Sequence, residues 1–124
     1  MSEALRSSTA LSTVKDVLFC DIECYKNFFY VAFKRHRDGV RVGFEFSERT
    51  GFTWDTERVS RLLRNNTIVT FNGMTYDVPM IYLALKGTNN RELKIASDKI
   101  IKGNLKYWTV ERALGIRVPK IDHI

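Results

Sequence analysis

The stretch Asp16-Val17-Leu18-Phe19-Cys20-Asp21-Ile22-Glu23-Cys24-Tyr25-Lys26-Asn27-Phe28-Phe29-Tyr30 decides the fold, and its centre is the triplet Asp21-Ile22-Glu23. Val17 to Cys24 is rich in β-branched and large apolar residues, which predicts a strand. Side chains two apart on a strand share a face, so Asp21 and Glu23 point one way. Cys20, Ile22 and Cys24 point the other way, toward a covering helix. Two neighbouring carboxylates in an apolar strand repel each other and resist desolvation unless a cation lies between them. A divalent ion such as Mg²⁺ supplies that charge. The same spacing also occurs at solvated strand ends that bind nothing, so the triplet alone leaves both readings open.

Outward from this strand, a short turn at Tyr25 and Lys26 leads to a second strand, Asn27 to Arg35. Arg37-Asp38-Gly39 then signals a hairpin into a third strand, Val40 to Phe46, because Asp-Gly suits the positive φ of tight turns. In that third strand Val40, Val42, Phe44 and Phe46 alternate with Arg41, Gly43 and Glu45, predicting one buried face and one wet face. The three strands form an antiparallel meander. Asp55 to Arg64 has a capping acid and helical spacing. Thr67 to Phe71 reads as a buried fourth strand. A strand reached through a helix normally runs parallel to its neighbour, so the fourth is placed beside the first. Helices are predicted at Val78 to Lys86, with Pro79 in the first turn and Gly87 closing it, at Asn89 to Lys102, and at Lys106 to Leu114 before Gly115. Ile116 to Ile124 reads as a loop entering a further strand.

The bulk numbers suit one small α/β domain. The 124 residues are 44% hydrophobic, enough for a modest core and too much for a mainly disordered chain. Lys and Arg outnumber Asp and Glu by 20 to 14, a net charge of +6 that favours polyanionic partners such as nucleic acid. Cys20 and Cys24 are the two cysteines. Four positions apart on one strand face, they are too widely separated for an easy disulfide and read as reduced core thiols. No apolar run approaches the ~18 residues of a membrane span, and the N-terminus lacks a signal-peptide core, so the expected location is the cytoplasm. Met1 to Lys15 reads as a flexible tail.

The second acidic element is Phe71-Asn72-Gly73-Met74-Thr75-Tyr76-Asp77-Val78-Pro79-Met80. With the fourth strand beside the first, Asp77 faces Asp21 and Glu23, and three carboxylates can share one metal ion and part of a second, as in displacement at phosphorus. Taken singly, Asp77 also reads as a plain helix cap and Asn72 as a turn residue.

Together, Asp21-Ile22-Glu23 and Asn72-x-x-x-Tyr76-Asp77 resemble the first two motifs of the DEDD 3′-5′ exonucleases, the proofreading domains of DNA polymerases and their relatives. The resemblance runs from Asp16 to the end, and the wording is most similar to phage exonuclease and polymerase-associated versions, which would place the protein in a host cytoplasm and in DNA replication. It implies a ribonuclease H-like fold and an exonuclease-like domain at 16–124. It implies two-metal phosphodiester hydrolysis at DNA 3′ ends with Mg²⁺ or Mn²⁺. Asp21, Glu23 and Asp77 would hold the metal, Asn72 and Tyr76 would position the terminal nucleotide, and Phe71 or Met74 would pack against base or sugar. The family's fourth acid, an Asp following a Tyr or His on a late helix, has no counterpart here, Tyr107-x-x-x-Glu111 being the nearest imitation. The final strand and catalytic helix are therefore expected to be missing. The domain would then be partial, completed by a missing segment, a polymerase or another chain, or self-associated through its bare sheet edge. The alternative is a non-catalytic nucleic-acid-binding or polymerase-assembly subunit.

Three basic groups add to this reading: Lys34, Arg35, His36, Arg37 and Arg41; Arg58, Arg61 and Arg64; and Lys94, Lys99, Lys102 and Lys106. Each is either a solvated face or part of a backbone track for a single strand, with Tyr25, Phe28, Trp54 and Trp108 as candidate stacking rings. His36 and His123 are assigned to neither metal nor substrate.

Overall fold

A computed structural model describes residues 15–124. The expected flexible tail lies outside the described residues except for Lys15. Strands β1 (Val17–Tyr25), β2 (Phe28–Arg35) and β3 (Arg41–Ser47) form the meander, and β4 (Thr67–Val69) follows helix α1 (Thr56–Asn65). Helices α2 (Asp77–Leu85), α3 (Asn90–Lys102) and α4 (Tyr107–Leu114) complete an α/β domain. The sheet order is β3-β2-β1-β4, antiparallel within the meander and parallel between β1 and β4.

Local chemistry explains the element ends. Gly39 sits at φ 76° in the β2-β3 hairpin, a backbone conformation that favours glycine. Asp38 accepts the Val40 N–H and both guanidinium hydrogen bonds of Arg35, so the turn is tied to the strand before it. Asp55 caps α1 by accepting the Arg58 N–H, and Asn89 caps α3 by accepting that of Glu92.

The even-numbered residues of β1 turn inward as their spacing predicts. Leu18, Cys20 and Ile22 join Phe29, Phe33 and Phe44 in one core with side chains from all four helices. Helix α3 lies under β1 and β2, while on α1 Val59 and Leu63 are fully buried and Arg58 sits 5.0 Å above the Phe44 ring. Both cysteines are free thiols, Cys20 buried and Cys24 partly so. Phe19, Asp21, Glu23 and Tyr25 line the opposite, exposed face of the sheet.

Two expectations need correction. The fourth strand stops at Val69, and only Ile68 in it is fully buried. Phe71, expected in that strand, is 94% exposed because the chain leaves the sheet at Thr70. Asp77 is not the cap of α2 but its first residue, following Tyr76. The free edge of β4 is met by the last residues: Ile68 pairs in parallel with His123, donating to Asp122 O and accepting from the Ile124 N–H. Lys15 and Thr67 both bind the Asp122 carboxylate, at 2.5 Å and 2.7 Å, and hold it below the usual carboxylate range.

Candidate functional site

The site lies just beyond the paired stretch of β1 and β4, where the 70–76 loop leaves the sheet. Asp21 stands on the exposed face of β1. Asp77 arrives from the loop with its carboxyl buried, 4% exposed, and accepts the backbone N–H of Asn72 at 3.0 Å. Five residues of loop are thus curled around that carboxylate. Asn72 O also receives the N–H groups of Thr75 and Tyr76, which fixes the turn.

Burial raises the pKa of Asp77 first, and the negative charge of Asp21 raises it further, against the Asn72 hydrogen bond and the nearby His123, which lower it. The Cys20 thiol, raised mainly by its own burial, also feels Asp77 and then Asp21. Two carboxylates from separate elements therefore share one local field. A cation between them would relieve their repulsion.

Glu23 is on the same face, but its Oε2 takes a 2.6 Å hydrogen bond from the Tyr25 hydroxyl, two residues farther along β1 and away from Asp21. Among the described residues, no group of three or more His, Cys, Asp or Glu side chains is already gathered to hold a metal ion. Asp21 and Asp77 offer hard oxygen donors, which suit Mg²⁺ or Mn²⁺. Glu23 is exposed, and it need only release Tyr25 to be available to an ion.

The remaining expected site residues divide. Asn72 and Phe71 are exposed and Met74 is 41% exposed, so all three are open to a ligand beside Asp77. Tyr76 is half-buried, its hydroxyl 2.7 Å from Ser97 Oγ on α3, so it anchors the loop to the helix layer. Glu111 on α4 accepts the Val118 N–H and so holds the chain after α4, while Tyr107 is exposed and packs edge-on against Trp108.

His123 is the residue that sequence reasoning missed. Its Nε2 is 2.8 Å from Thr70 Oγ1, and its ring fills the space that a side chain on Gly73 would occupy. A β-carbon there would overlap both His123 and Thr70, so Gly73 serves close approach of the loop to the last residues. The signal was faint: His123 follows a strand-entry pattern at a position whose neighbour across β4 becomes visible only once the parallel register is known.

The basic groups also sort by partner. Arg35 is buried and bound to Asp38, and Arg37 pairs with Asp16 at 3.3 Å. Arg58 pairs with Asp55, and Lys94 and Lys102 with Asp98. Among the described residues Lys34 and Arg41 have no carboxylate partner. Of the candidate rings, Trp54 meets Phe29 and Phe46 and is core, whereas Tyr25 and Trp108 are exposed. No helix among the described residues is long and apolar enough to cross a membrane.

Compared with family models, curated proteins and solved structures, the chain matches none.

Proposed function

We propose that the chain is a ribonuclease H-like domain of the DEDD exonuclease type, whose reaction is metal-dependent removal of 3′-terminal nucleotides from DNA. The observation that carries this reading is the entry of the buried Asp77 carboxylate into the field of Asp21 from a loop after the strand parallel to β1. The strand order β3-β2-β1-β4, with a parallel bridge beyond β4, is compatible with that fold.

On this reading Asp21, Asp77 and Glu23 hold Mg²⁺ or Mn²⁺, which would neutralise charge developing at the scissile phosphate. The Asn72 N–H keeps Asp77 oriented. The exposed Phe71 and Met74 supply apolar contact for the terminal base or sugar, beside the Asn72 side chain. Tyr76 holds the loop through Ser97 rather than meeting the nucleotide with its hydroxyl.

The test is nucleotide release from a 3′-labelled single strand in Mg²⁺. Release that Asp21→Ala and Asp77→Ala each abolish supports the enzyme. The second reading, a non-catalytic nucleic-acid-binding or polymerase-assembly subunit, is favoured by the engagement of Glu23 with Tyr25, which leaves two carboxylates in the shared field. Binding of the strand without release decides for it.

A further inference from the structure

The meander presents a row of three unlike side chains on its exposed face. Phe19 on β1 is paired with Lys34 on β2, and Lys34 with Arg41 on β3. The next row is Asp21, Ala32 and Gly43. Between the rows lies a groove of about 270 Å³ lined by Phe19, Asp21, Ala32, Lys34 and Arg41. Strand spacing of ~4.8 Å and ~6.8 Å per two residues put the Lys34 and Arg41 backbones on the order of 8 and 12 Å from that of Asp21.

We propose that this groove binds the phosphate backbone of a single DNA strand, with Phe19 as the stacking platform for a base. The inference rests on the nucleic-acid reading of the Asp21 site and extends it to the strand leading into that site. Three observations carry it. Lys34 and Arg41 are exposed and, among the described residues, lack a carboxylate partner, while the adjacent Arg35 and Arg37 are already neutralised. Phe19 is 41% exposed between Lys34 and Asp21, and His36 meets its ring edge-on at 5.5 Å, bracing it from one side. The floor is low at Ala32, while Tyr30 fills the space above Gly43 and closes that side of the trough.

Repeating charge and flat bases match two cations beside an exposed ring. An acidic peptide would satisfy the cations and leave the ring without a stacking partner.

The experiment is fluorescence anisotropy of a labelled oligothymidylate with the full chain, in EDTA and without divalent cation, across a series of salt concentrations. The paired substitution Lys34→Ala with Arg41→Ala is expected to lower affinity at least tenfold. It should also flatten the slope of log K against log salt by about 1.4, since each phosphate contact on a single strand contributes roughly 0.7. Phe19→Ala is expected to lower affinity about tenfold with the slope unchanged. Arg41→Lys should keep the wild-type slope. Far-UV circular dichroism verifies that each variant is folded. The proposal is overturned by wild-type affinity and slope in the paired variant, by no wild-type binding at low salt, or by polyglutamate displacing the DNA at equal charge concentration. No turnover takes place in EDTA, so a chain that releases no nucleotide in Mg²⁺ can still pass this test, and one that releases nucleotide can fail it.

Discussion

Replacing Gly73 by Ala puts a β-carbon where His123 Nε2 and Thr70 Oγ1 already stand. One of the two side chains, or the loop, has to move. Losing the Thr70–His123 hydrogen bond costs a net ~1 kcal/mol. Forcing a methyl group into an occupied space adds about 1–3 kcal/mol. The sum, roughly 2–4 kcal/mol, is large against the ~5–15 kcal/mol of a typical domain but leaves a folded fraction to measure. Urea unfolding followed by tryptophan fluorescence suits the purpose, because Trp54 packs against Phe29 and Phe46 in the core. The expected drop in midpoint is on the order of 1–2 M urea. A double-mutant cycle sharpens the result: His123→Ala alone should cost about 1 kcal/mol, and in its background Gly73→Ala should lose at least ~1 kcal/mol of its penalty. Thr70 still opposes the methyl group, so the penalty does not vanish. Additivity within about 0.5 kcal/mol would refute the contact between the last residues and the loop that carries Asn72.

Two further outcomes follow from the same loop. The raised pKa of Asp77 means that folding favours its neutral form, so its contribution is most favourable below the ordinary Asp value and is lost as pH rises through the folded value. Asp77→Asn should therefore gain stability relative to wild type between about pH 4 and neutrality, in denaturation at both pH values without divalent ions. A variant that instead loses ground as pH rises would show that the carboxylate is not held in a desolvating, negative field. Tyr76→Phe should cost about 1 kcal/mol by removing the hydroxyl bond to Ser97, and Ser97→Ala on top of it should add less than it does alone, as read by urea unfolding.

How much of this was legible in the sequence depends on the range of the cause. The alternation through Val40 to Phe46, the Asp-Gly turn, and Asp55 as a cap are local signals, and each element lies within a residue or two of its predicted bounds. The parallel pairing of β4 with β1 followed from the helix between them, a rule of chain topology rather than of any residue. Phe71 was misread because a hydrophobic residue after Thr-Ile-Val-Thr looks like strand, whereas the sheet beside β1 ends two residues earlier. The role of Tyr76 depends on Ser97, which only the packing of α3 brings within 2.7 Å. His123 is separated from Thr70 by 53 positions, and no local pattern reports such a meeting.

The strap along β4 has a consequence in time. The meander is made of neighbours in sequence and can zip as soon as it exists, since closing short loops is fast and costs little entropy. The contacts between Thr67 and Asp122 and between Thr70 and His123 bridge 55 and 53 positions, so they close a long loop and follow the meander in time. The loop that shields Asp77 is locked only then. The acidic pair is thus brought under control after the meander has formed.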